Sequence, residues 1–277
     1  MRAILELTLL PGAEPVAAVH RSSGPQPDNL CGPFWVALLL RSVGSGSPTP
    51  ERAAVAAGTV LPAGGDPRSW VPPGEPNRPG DTAGLARTDD PDVSGTSIPG
   101  MLAAVDELSN GSHRLLPIRG HAGRALDGSA IATLAGILER RPRWEATPIL
   151  NLRTGVLWGT RLPPTGALTY LVGGDVDPPD PEWDVGHFVN LAGLVRGPER
   201  TMLLLRDSYP SFGPGGSHLQ PLEAVGSAVR RDDGREGGCL LFLAARHLDE
   251  AERALKDEGY DIGTWDNGTP YGQGGER

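Results

Sequence analysis

The 277 residues suffice to bury a real core, as one large domain or two small ones, and 39 Gly with 28 Pro commit much of the chain to loops. A net charge of −9 speaks against a nucleic-acid partner, and no apolar run is long enough to span a membrane. Two cysteines make no disulfide framework, and the N-terminal Met1-Arg2-Ala3-Ile4-Leu5-Glu6 carries a carboxylate where a signal peptide would be apolar, so a cytoplasmic, reducing setting is expected.

In chain order, residues 4–10 read as a strand and 14–20 as a short helix. Gln26-Pro27-Asp28-Asn29-Leu30-Cys31-Gly32-Pro33 then leads into residues 34–43, apolar almost all round, as in a helix buried in a domain centre. Asp28 and Asn29 suit the cap of that helix and Pro33 its first turn. Cys31 falls at the helix start, where unpaired N–H groups and the macrodipole favour the nucleophilic thiolate.

Residues 51–58 form a short alanine-rich helix. Residues 62–96, dense in Pro, Gly and Asp, read as a long irregular insertion. Ser97 caps a helix with Met101, Leu102, Val105 and Leu108 on one face, and His113 begins a strand. A helix over 127–140 and a strand over 147–152 follow, then a second Pro/Gly-rich excursion over 163–184. Strands over 187–194 and 202–206 are joined by the turn-like Arg196-Gly197-Pro198-Glu199-Arg200, short enough for a hairpin. A helix over 221–229 and a strand over 238–244, which contains Cys239, complete the regular elements. Residues 1–250 are expected to form a single domain, with the Gly-rich residues 260–277 as a disordered tail.

In an antiparallel hairpin the start of one strand lies beside the end of its partner, which makes His187 and Asp207 neighbours. That is the pairing of a base with its orienting carboxylate, and Cys31 would supply the nucleophile. Trp183, just before His187, and Trp70, the main aromatic of the long insertion, are candidates to line a substrate cleft. Six scattered histidines without metal-ligand spacing, and no Cys-x-x-Cys, give no metal site. The glycine-rich stretch at 213–217 lacks the Lys-Ser/Thr ending of a phosphate cradle. His218 and Cys239 are assigned structural roles.

Asp28-Asn29-Leu30-Cys31-Gly32-Pro33, Gly186-His187-Phe188-Val189-Asn190-Leu191-Ala192-Gly193 and Leu203-Leu204-Leu205-Arg206-Asp207-Ser208 resemble the cysteine, histidine and aspartate blocks of papain-like peptidases, and most nearly those of the bacteriocin-processing (C39-like) branch. The resemblance implies a papain-like α+β fold. A helical lobe with the nucleophile at a helix N-terminus would face an antiparallel sheet lobe carrying His and Asp. It implies Cys31 as nucleophile, His187 as base, Asp207 as orienting residue, and a glutamine before the cysteine as oxyanion stabiliser. Gln26 fills that place one residue closer to the cysteine than is usual, with Asn29 or Asp28 as alternatives. The expected activity is cysteine-dependent acyl transfer on a peptide or protein, most simply by a soluble peptidase acting on a ribosomally made precursor, with no cofactor. A transferase or cyclase using the same triad, or an inactive peptide-binding module, are the alternatives.

Overall fold

The computed structural model describes residues 5–64, 70–160, 162–181 and 183–271. Among the described residues eleven strands and eight α-helices succeed one another. The chain begins with β1 (Glu6–Leu9), α1 (Ala13–Ser23), α2 (Cys31–Ser42) and α3 (Pro50–Ala56). The short strands β2 (Val60–Pro62) and β3 (Ala86–Thr88) pair in parallel across the long insertion. Next come α4 (Ile98–Leu108), β4 (His113–His121), β5 (Arg124–Ala125), α5 (Gly128–Arg140), β6 (Thr147–Arg153) and α6 (Pro164–Leu171). The chain ends with β7 (Gly186–Arg196), β8 (Thr201–Arg206), β9 (Ser217–Pro221), α7 (Leu222–Arg230), β10 (Gly238–Ala244), α8 (Leu248–Asp257) and β11 (Tyr260–Ile262). Among the described residues no helix is long and apolar enough to cross a membrane.

One antiparallel sheet dominates, in the order β11-β4-β10-β6-β7-β8-β9, with β1 added to the far part of β7 and β5 to β4. Alternation along the strands divides the core in two. Leu116, Leu150, Val189 and Leu241 pack with α5, α7 and α8 on one face. Leu115, Ile149, Phe188, Leu240 and Phe242 pack with α1 to α4 on the other. The α+β class with a large antiparallel sheet matches the expectation from sequence, but helices cover both faces of the sheet instead of forming a single helical lobe. Strands such as Gly238–Ala244 are apolar at nearly every position, and only a sheet covered on both faces buries both sets of side chains.

Local chemistry sets most helix starts. Ser97 and Asp127 accept from the N–H groups of Gly100 and Ala130 at 3.1 and 2.8 Å, as capping residues do. The excursion over 163–184 contains α6, whose Pro164 sits where its missing N–H is harmless. Residues 260–271, expected to be disordered, belong to the fold. Tyr260 and Asp261 pair with β4, and Trp265 is buried against Gly238 with its indole N–H donated to Asn151 Oδ1 at 3.1 Å. One large aromatic ring buries enough apolar surface to hold an otherwise polar segment. Residue 4 of the first predicted strand, residues 65–69 of the insertion and 272–277 of the tail lie outside the described residues.

Candidate active site

The loop before Cys31 differs from a simple capped helix start. Asn29 has φ of +61°, a left-handed turn that Asn tolerates better than most residues, and the residue preceding α2 is the fully buried Leu30. Asp28 does not cap the helix, contrary to the expectation from sequence. Its N–H donates to the Arg78 carbonyl and its Oδ2 accepts the Arg78 N–H, both at 2.9 Å. This ties the loop before Cys31 to the long insertion, and burial raises the Asp28 carboxyl above the usual carboxylate range. Among the described residues no side chain caps α2, so its first N–H groups keep no intrahelical acceptor. Gly32 lets this turn approach the sheet closely: a Cβ there would lie 2.8 Å from Met101 Sδ and 3.4 Å from the Phe188 ring.

The hairpin of β7 and β8 sets His187 and Asp207 side by side. Asn190 is registered opposite Arg206, so Asp207 follows the last paired residue of β8, while His187 lies opposite Leu152 of β6 at the start of β7. His187 Nε2 donates to both carboxylate oxygens of Asp207 at 3.2 Å, and each residue is only 1% exposed. On its other side the His187 ring has the half-buried Cys31 side chain, which helps to raise its pKa. With Nε2 committed to Asp207, Nδ1 is the nitrogen left for the sulfur.

Burial lowers the His187 pKa, but the Asp207 charge and hydrogen bond, with help from Cys31, outweigh it and raise the ring to about 10. Burial likewise opposes ionisation of Asp207, and the His187 charge and hydrogen bond, together with His218 and the Tyr209 N–H, hold it below the usual range. Three histidines thus gather around Asp207. His187 takes the side chain, His218 acts through its charge, and His20 Nε2 lies 2.8 Å from the Asp207 carbonyl oxygen.

Gln26 is buried beside this pair. Its main-chain N–H donates to Ser208 O at 3.3 Å, its Oε1 accepts from the Ser208 hydroxyl, and its Nε2 donates to the Tyr209 hydroxyl at 3.2 Å. The amide keeps a second N–H on Nε2. Trp183 packs edge-on against His187 with centroids 4.9 Å apart, and against Tyr209 and Phe212.

A cleft of about 540 Å³ opens over the cysteine, and Gln26, Asn29, Cys31, Trp70, Trp183 and His187 all line it. Asp207 lies behind His187, outside the lining. The long insertion reaches the cleft at Trp70, and its anchor is the next residue: Val71 is 3% exposed and packs with Trp183, Tyr209 and Phe212. Farther along, Arg153 grips Asp184 with a two-pronged contact of 2.6 and 2.8 Å, and the tail contributes Asn267 and Thr269 to the wall.

Sequence reasoning missed His20, Ser208, Tyr209 and the tail. Asp-Ser-Tyr-Pro reads as an ordinary turn, and the signal within it, two hydrogen-bonding side chains directly after a candidate orienting carboxylate, was available. For His20 no local signal exists. No curated protein matches the chain. A family model matches residues 10–266, which include every residue of the Cys31, His187 and Asp207 cluster, and the chain belongs to that family, the family of unknown function DUF6885.

Proposed function

We propose that the protein carries out acyl transfer through a thioester on Cys31, in its simplest form as a papain-like cysteine peptidase. The observation that carries this reading is the buried His187, which shares the cleft wall with Cys31, feels its side chain, and binds the Asp207 carboxylate behind. Cys31 gives its thiol proton to His187 Nδ1 as its sulfur attacks a substrate carbonyl carbon, and the carbonyl π electrons move onto oxygen. The uncapped N–H groups of α2 and the remaining Gln26 N–H are the donors for that oxyanion. As the tetrahedral species collapses, the leaving amine takes the proton from His187 Nδ1, and the acyl group stays on sulfur. Water then gives a proton to Nδ1 as it attacks the thioester, and Nδ1 passes that proton to the departing sulfur, releasing a carboxylic acid and the thiol. Asp207 fixes the ring orientation and stabilises the imidazolium. Trp183 covers the His187 ring and shields its bond to Asp207 from water.

The likeness of the three blocks to the bacteriocin-processing branch favours a peptide substrate, a ribosomally made precursor in particular. Incubation with a peptide library made from a bacterial proteome tests this. The reading expects a defined set of cleaved peptides with the wild type and none with Cys31→Ala. Identical products from both proteins would overturn it. Added hydroxylamine, captured as acyl hydroxamate, reports the shared thioester, and a product joined to an added amine in place of the free acid marks transfer.

A further inference from the structure

His20 lies at the back of the triad and takes no part in the chemistry above. It sits in the last turn of α1, is 5% exposed, and stacks parallel on Trp35 with centroids 5.8 Å apart. Its Nε2 is 2.8 Å from the carbonyl oxygen of Asp207, an atom that only accepts, so the proton of the ring resides on Nε2. Burial, with the nearby Arg206 charge, holds the ring below its ordinary pKa against the opposing pull of Asp207, which keeps it neutral.

Asp207 is fixed on every side. Its N–H donates to Gly216 O at 2.7 Å, its carbonyl accepts from His20, and its Oδ1 accepts the Tyr209 N–H at 2.9 Å. Gly216, with φ of +77°, offers that carbonyl from a conformation that side chains avoid. The charged and titratable groups facing the Asp207 carboxyl are His187, His218 and, from behind, His20, with Cys31 across the His187 ring. The same stretch that carries His20 reaches Gln26, whose N–H holds the next carbonyl, that of Ser208. The segment leading to the nucleophile therefore docks on two successive carbonyls at the end of the carboxylate's strand.

We propose that His20 is a positioning residue of the site: its Nε2–H fixes the Asp207 carbonyl and thereby keeps the Asp207 carboxylate on His187. The inference rests on the triad reading for its consequence in catalysis, but the positioning can be measured without turnover. Three variants separate donor from packing. His20→Phe keeps a ring on Trp35 and removes the donor. His20→Gln places an amide nitrogen near the Nε2 position, and His20→Asn places it near Nδ1.

The primary readout is the titration midpoint of the His187 ring by NMR, in proteins whose folding is checked by thermal unfolding. The second is the rate of Cys31 alkylation by iodoacetamide at about pH 6.5, near the ordinary histidine range. In His20→Phe the His187 midpoint should fall by about one pH unit or more, because Asp207 loosens its hold. Alkylation of Cys31 should slow several-fold. His20→Gln should recover most of both, and His20→Asn should not. An unchanged His187 midpoint in His20→Phe, or equal shifts in all three variants, would overturn the proposal. Should Phe not fold, the contrast between Gln and Asn decides it. Failure of the acyl-transfer reading shows elsewhere, as a wild type that cleaves nothing through Cys31.

Discussion

Cys31 and Cys239 are the same functional group in two opposite settings. Cys31 belongs to the helices on one face of the sheet, half-buried at an uncapped helix start and on a cleft whose wall it shares with His187. Cys239 points to the other face, wholly buried among aliphatic side chains of the sheet, α5, α7 and α8. Burial pushes its thiol up to about 12, so it stays protonated and inert at neutral pH. Chemical identity makes neither of them a nucleophile. The proposed nucleophilic role rests on a polar partner, an opening to solvent and unpaired backbone donors, and of these two cysteines Cys31 has all three.

The sharpest way to break this contrast is to delete each sulfur. Cys31→Ala should abolish alkylation at neutral pH and peptide cleavage, with the fold retained because the side chain is small and sits at a helix end. Cys239→Ala should keep both reactions and lose about 1–2 kcal/mol of stability from the cavity it leaves. Intact-mass labelling and urea unfolding of the two variants read both effects, and labelling that survives in Cys31→Ala would reverse the assignment.

Next in size are the two partners that distinguish Cys31. His187→Ala should slow turnover by roughly 10²–10⁴, the usual contribution of a positioned acid–base group. Asp207→Asn should be less harmful than Cys31→Ala, since orientation is lost but the nucleophile remains. Single-turnover rates on a cleaved library peptide measure both. A His187→Ala protein as fast as the wild type would leave Cys31 without its base.

A smaller effect is the pH dependence of stability. Asp207 is held below its ordinary pKa, so its contribution is present above about pH 4 and is lost as pH falls through the lower folded value. His187 is raised, so its contribution is complete below about pH 6.5 and fades as pH rises toward the folded value of about 10. The pair should therefore stabilise the fold most between these limits. Urea unfolding across the alkaline limb should show a wild-type decline that flattens in His187→Gln, and parallel curves would deny the pairing. The smallest expected change is at the cleft rim. Trp70→Ala should shift KM a few-fold with kcat nearly kept, because Val71 carries the anchoring. A loss of kcat with unchanged KM would mean that Trp70 supports the triad instead.

Much of this arrangement was legible in the sequence because its determinants are local. An apolar run after Cys31 marks the helix, and two β-rich runs around a short turn place His187 beside Asp207. Ser97 and Asp127 announce their helices by capping chemistry. What stayed hidden depends on distant parts of the chain. His20 meets Asp207 across 187 positions, and nothing near it marks the contact. Asn29 suits a cap by type, yet it forms a left-handed bend beside the buried Leu30, which packs on Ala54, Leu61 and Leu85 from distant stretches. The residues after Tyr260 look disordered by composition, yet Trp265 finds a slot left by the bare Gly238. The helices on the second face follow from strands that are apolar on both sides, a pattern that a short strand shares with a buried helix.

The central claim is that Cys31 forms a thioester with the help of His187. Rapid mixing with p-nitrophenyl acetate, followed by intact-mass analysis and peptide mapping, tests it most directly, because this ester acylates a nucleophile without needing a specific peptide site. The account predicts a burst of one acyl group per chain, mapped to Cys31, discharged by hydroxylamine, and absent from Cys31→Ala and from His187→Ala. Acylation of Cys31 no faster than that of Cys239, or equally fast in His187→Ala, would contradict it.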